Sequence, residues 1–192
     1  MSSPSLEFQY EQNRCVRELR TRIRDCLEGI SLAFDDYGKE HVRGPGLYFA
    51  IVSNRSVDSF ADAMGANTWP VERCHTVHTD LDSFYEAVST VARTRDGGVC
   101  VSVDGTVLEQ MVRFTNVRDE ELPEGLTVSQ LEYPDWMGAR HMSAYETSLR
   151  PDVVATLTLS EESGRVTEFQ DGIFDTATRD TIGEPWRGKE CE

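Results

Sequence analysis

Apolar residues recur early in the chain at the spacing of one helix face. Val16, Leu19, Ile23, Cys26, Leu27 and Ile30 follow a period of three to four, with arginines between them. That spacing predicts an amphipathic helix over about 10–34, after a loose polar start at 1–9. Residues 35–45 are charged and run into Gly44-Pro45-Gly46, which reads as a loop. The run LYFAIVS, 47–53, is continuously apolar and predicts a strand buried on both faces. Val57, Phe60, Ala61 and Met64 are spaced for a short helix that ends near Gly65. Val71 to Val77 alternates weakly and predicts a strand. Asp80 is suited to cap a helix carrying Leu81, Phe84, Tyr85, Val88 and Val91.

In the second half, Val99, Val101 and Val103 alternate, Asp104-Gly105 is a two-residue hairpin signal, and a return strand follows. Residues 115–135 form an acidic loop containing proline. A helix is expected near 139–149, stopped by Pro151, then a strand at 152–159. A Ser163-Gly164 turn leads to a strand at 165–170, and the tail from Asp171 reads as polar and irregular. There is no internal repeat or low-complexity tract. The fold class expected is α/β, a single domain with a mixed twisted β-sheet flanked by helices.

Charge narrows the choice of partners. The chain carries 34 acidic against 19 basic residues, a formal net charge of -15, and its only lysines are Lys39 and Lys189. Acid excess with so little lysine points to a protein that works in concentrated salt, where carboxylates keep the surface solvated and their repulsion is screened. The same charge argues against binding duplex DNA or anionic lipid by bulk attraction, since the field has the wrong sign. The five cysteines, Cys15, Cys26, Cys74, Cys100 and Cys191, are odd in number and form no C-x-x-C pair. They read as free thiols in a reducing cytoplasm. Cys74-His75 with His78 lacks a second ligand pair at zinc-site spacing. No apolar run approaches the ~20 residues needed to span a bilayer.

Three junctions carry candidate chemistry. Asp96-Gly97-Gly98 lies between a helix end and a strand, where glycines admit a close approach and the carboxylate can hold a metal or take a proton. Read alone, it is also an ordinary helix C-terminal turn. Gly138-Ala139-Arg140-His141 opens a helix, whose N-terminus attracts phosphate through unpaired N–H groups. Basic residues there are unfavourable to the helix itself and make sense if an anion offsets them. Ser160-Glu161-Glu162 ends a strand; acids before a hairpin turn are commonly just solvated.

Taken together and in this order, the three resemble the motifs of the diadenylate cyclase domain family, over about Gly46 to Gly172. That family shows D-G-A opening a strand, then G-T-R-H-R-A-A at a helix start, then S-E-E-T-G after a strand. The matching segments here are Asp96-Gly97-Gly98, Gly138-Ala139-Arg140-His141-Met142-Ser143-Ala144 and Ser160-Glu161-Glu162-Ser163-Gly164. Asp104-Gly105 falls where the family has its own hairpin turn. Gly98 replaces an alanine, Ala139 a threonine and Met142 an arginine, so two phosphate contacts are weakened or lost.

The resemblance implies a cytoplasmic nucleotidyltransferase that condenses two ATP into cyclic di-AMP, a second messenger, and two pyrophosphates. The reaction would occur between two domains face to face in a homo-oligomer. It implies Asp96, Arg140 and His141 as catalytic residues and Mn²⁺ or Mg²⁺ held by Asp96 and Glu162. Nucleotide would be bound by Gly97, Gly98, Gly138, Ala139, Met142, Ser143, Ser160 and Glu161, with Arg113 or Phe114 against the purine. Residues 1–45 would form a helix and loop packed on the core, 46–172 the cyclase domain, and 173–192 a polar tail. No nucleic-acid or membrane partner is expected. A second reading is a catalytically inactive nucleotide-binding sensor of the same fold.

Overall fold

The computed structural model describes Tyr10 and residues 13–187. Seven strands form one mixed sheet: β1 (Leu47–Val52), β2 (Ala61–Thr68), β3 (Gly98–Ser102), β4 (Gln110–Phe114), β5 (Val153–Leu159), β6 (Val166–Gln170) and β7 (Ile173–Ala177). Their order across the sheet is β2-β4-β3-β1-β5-β6-β7. Only β1 and β3 are parallel; the other neighbours run antiparallel. Four helices, α1 (Arg14–Ala33), α2 (Leu81–Thr94), α3 (Ala139–Ser148) and α4 (Arg179–Arg187), complete the α/β domain.

β1 shows why its sequence is a continuous apolar run. Leu47, Phe49 and Ile51 join one core, with Leu19, Ile23 and Leu27 of α1 and Phe84 and Val88 of α2. Tyr48, Ala50 and Val52 point the other way, into a second core containing Ala144 of α3. With a side-chain period of two, a strand covered on both faces has no position left for a polar residue. Residue Asn13 caps α1, its side chain accepting from the Cys15 N–H at 2.9 Å, and Asp80 caps α2 from the Asp82 N–H at 3.1 Å.

Three expectations are corrected. Residues 57–64 do not form a helix: a turn carries Val57 and Phe60 into the core, and β2 runs through Gly65. An i, i+3, i+4 spacing over so short a window fits a turn entering a strand as well as a helix. Nor is 71–77 a strand. Trp69 donates from its indole to the Cys74 carbonyl at 2.7 Å and folds the segment into turns, leaving one isolated bridge between Thr76 and Thr106. The irregular tail is ordered as far as 187: β7 pairs with β6 from Ile173 to Ala177, and α4 buries Ile182 against α1. The remainder of the tail and most of the polar start lie outside the described residues.

Cys15, Cys26, Cys74 and Cys100 are free thiols. Among the described residues no helix is long and apolar enough to cross a membrane.

Candidate functional site

Strand directions bring distant segments to one end of the sheet. Tyr48 at the start of β1 lies beside Gly98 at the start of β3, because the two are parallel. β5 is antiparallel to β1, so Leu159 at its end lies beside Leu47. β4 is antiparallel to β3, pairing Gly98 with Val112 and carrying Arg113 and Phe114 to the same edge. The N-terminus of α3 packs over this edge from one face.

Here lies a cavity of about 650 Å³. Asp96, Gly97 and Gly98 form one wall, Arg113 and Phe114 a second, Gly138, Ala139, Arg140, His141 and Ser143 a third, and Ser160, Glu161 and Glu162 a fourth. The structure thus gathers every residue singled out from the sequence except Met142. That side chain is exposed and lies off the cavity lining: at about 100° per residue Ala139, Arg140, His141 and Ser143 occupy one side of the helix and leave Met142 on the other. Ser163, from the third motif, also lines the cavity, as do Tyr48, Met64, Trp136 and Arg165, which belong to no motif. Trp136 had one available signal, an aromatic two residues before the helix-opening glycine. Nothing local marks Tyr48 or Met64, which the sheet alone brings to the edge.

The glycines are explained by space. Gly97 has φ 100, a backbone conformation that side chains disfavour. A β-carbon at Gly98 would come within 2.4 Å of the Phe114 ring, so Phe114 fills the room that a side chain would take. At Gly46 it would meet Arg140 Nη1 at 2.6 Å. The Gly44-Pro45-Gly46 loop is therefore the floor on which Arg140 lies.

Polar groups in the cavity are largely uncommitted. Asp96 is exposed and its Oδ1 accepts from the Gly97 N–H at 2.8 Å, which leaves its second oxygen open. Gly138 offers no side chain to cap α3, so the N–H groups of its first turn keep their demand for an acceptor. Among the described residues the one carboxylate within ion-pair distance of Arg140 is Glu161, at 3.6 Å, beyond a hydrogen bond. Arg165 stacks over the Trp136 ring at 4.5 Å. Ser160 sits in the turn joining β5 to β6, its Oγ accepting from the Ser163 N–H at 3.3 Å.

His141 is buried, and its Nε2 has no hydrogen-bond partner. Trp136 and Phe169 pack edge-on to its ring. Burial, and then the Arg140 and Arg165 guanidiniums, push the imidazole from its usual 6.5 down to about 4. Between these values the unfolded chain binds a proton that the folded chain refuses. Stability from this residue is complete above about pH 6.5 and is lost as the pH falls toward 4, by up to about 3 kcal/mol. Melting temperatures measured across that range should fall for the native chain and fall less for His141→Phe.

Asp96 and Glu162 offer two hard oxygen donors, a set that suits Mn²⁺ or Mg²⁺ only if substrate oxygens complete the shell. Among the described residues, no group of three His, Cys, Asp or Glu side chains is placed to hold a metal ion unaided.

No family model matches the chain, and no curated protein matches it. Solved structures do. A hypothetical membrane spanning protein from Bacillus cereus matches with a TM-score of 0.50 and 18% identity, over 84% of this chain and 64% of that one. This chain therefore spans slightly less than two thirds of that relative's length. A double mutant of DacA from Staphylococcus aureus matches with a TM-score of 0.46 and 13% identity, over 92% of this chain and 97% of that one. At such identities the likeness is one of fold.

Proposed function

We propose that the protein is a diadenylate cyclase, joining two ATP molecules into cyclic di-AMP with release of two pyrophosphates. The observation that carries this reading is the convergence of three sequence-distant motifs, around Asp96, Arg140 and Ser160, on one cavity that also holds an aromatic side chain for a purine. A coincidental match to a family pattern would have no reason to meet in space.

Each half-reaction forms a bond from one nucleotide's 3′-oxygen to the other's α-phosphorus. The bond between the α-phosphorus and the bridging oxygen breaks, pyrophosphate leaves with that electron pair, and the 3′-hydroxyl gives up its proton. Positioning and charge neutralisation are the main demands. The free oxygen of Asp96 is suited to accept the 3′-proton. The uncapped start of α3 and the Arg140 fork would hold phosphate oxygens. Neutral His141 contributes a hydrogen bond rather than a charge. Trp136 would pack against adenine, with the buried Phe114 ring as part of the apolar wall beneath it. A divalent ion bound by Asp96, Glu162 and phosphate oxygens would supply further charge neutralisation. One cavity holds one ATP, so two copies must meet face to face.

Incubation with ATP and Mn²⁺ in molar KCl, followed by mass spectrometry, tests the proposal; high salt is chosen because the acidic surface calls for screening. Cyclic di-AMP is the expected product. ATP binding without product would favour the sensor reading, which Ala139 motivates. Met142, where the family has an arginine, motivates it as well.

A further inference from the structure

Behind Arg140 lies a second cavity, of about 570 Å³, separated from the first by a wall made of Asp96, Arg140 and Glu161. Its remaining charged lining is entirely basic: Arg43 from the loop before β1, Arg93 from the last turn of α2, and Arg95 just beyond it. Four guanidiniums thus face two carboxylates in a chain whose net charge is -15.

These arginines are at most loosely held by the fold, through long ion pairs to the single carboxylate of Glu161. Neither Arg93 nor Arg95 has a carboxylate within ion-pair distance among the described residues; Arg93 lies over the Phe34 ring at 5.7 Å. Arg43 and Arg140 share Glu161 at 3.9 and 3.6 Å, too far for a hydrogen bond from either. Helix ends do favour cations, which accounts for Arg93, but not for Arg43 from a separate loop or Arg140 at a helix start. Convergent planar forks without protein acceptors fit an anion with several oxygens.

We propose that this cleft binds a polyphosphate anion. The choice of ligand rests on the reaction proposed above, in which pyrophosphate is formed on the other side of Arg140. Arg140 can then contact phosphate in both cavities, and Glu161 provides the alternative partner that lets it turn from one to the other.

Calorimetric titration with sodium pyrophosphate and, separately, with ATP, both without divalent metal, tests the site. The variant Arg43→Gln/Arg95→Gln removes two exposed guanidiniums and leaves the core untouched. Losing two charge-assisted contacts should weaken pyrophosphate binding about tenfold or more. Arg14→Gln/Arg17→Gln removes the same charge from the exposed start of α1 and should leave binding unchanged. Loss for pyrophosphate alone assigns the cleft to the released product; equal loss for ATP assigns it to the tail of the bound nucleotide. Unchanged binding of both, or equal loss in the control, overturns the proposal. Cyclic di-AMP formation is scored independently: arginine-dependent binding in a protein that makes none would keep this site and remove the reaction.

Discussion

Asp96→Asn is expected to slow cyclic di-AMP formation by about 10²–10³, the usual cost of removing one electrostatic contact from a transition state. ATP should still bind, through Arg140 and the start of α3, so the loss belongs in turnover. Asp104→Asn is the informative partner, since each aspartate precedes a glycine and they lie only one strand apart. The Asp104 carboxylate is fully occupied: it accepts from the Ser102 hydroxyl, from the Thr106 N–H at 2.9 Å and from Arg55 at 2.6 Å. Those contacts, Ser102 first, hold it well below the usual carboxylate range. A group so engaged in a hairpin turn stabilises that turn. Asp104→Asn should therefore keep its rate while costing about 1 kcal/mol, a modest figure because the side chain is half exposed to screening solvent. Rates by mass spectrometry and melts on the same samples separate the two roles. A dead Asp104→Asn beside a normal Asp96→Asn would show that the motif alignment is displaced.

Arg150→Ala should produce the largest loss of stability, about 2–3 kcal/mol, because it removes a buried guanidinium's charge-assisted bonds to Glu121 and Thr115, while Arg118 still holds the Glu121 carboxylate. Arg150 is buried at 3% exposure. It donates to Glu121 and to the Thr115 carbonyl, the latter at 2.7 Å, and lies over the Phe60 ring at 5.2 Å. These contacts tie down the long loop between β4 and α3. Glu146 ties it a second time, accepting from the Tyr133 hydroxyl at 2.8 Å and the Val117 N–H at 3.3 Å. That loop ends at Trp136 and Gly138, both in the cavity wall. Urea titration should give a lower midpoint, and proteolysis should cut first within 115–135. An unchanged midpoint would mean that the loop is anchored without the arginine.

Legibility followed burial. β1 and α1 could be read because each has a long, one-sided or two-sided apolar demand that the sequence must meet. β7 could not: Ile173 is 75% exposed, and an edge strand held by backbone pairing to β6 needs no alternation. The Val57–Met64 window failed because two turns of helix and a turn-plus-strand want the same spacing. In the cavity, Asp96, Arg140 and Glu161 could be found because short motifs name them. The cleft formed by Arg43, Arg93 and Arg95 could not, since each is an unremarkable surface arginine until the fold brings them together.

The position of β1 also sets when the cavity can exist during folding. Its walls come from segments paired on both sides of this strand, β3 and β4 on one side and β5 on the other. Loop closures between Gly46, Gly98 and Ser160 must all precede it, and each has an entropic cost before any contact returns stability. A half-built sheet has no cavity to offer. Nucleotide should therefore slow unfolding in proportion to occupancy and leave the refolding rate unchanged, because the barrier is crossed before there is anything to bind. Stopped-flow refolding with and without ATP would reveal an earlier-forming site as a ligand-dependent acceleration.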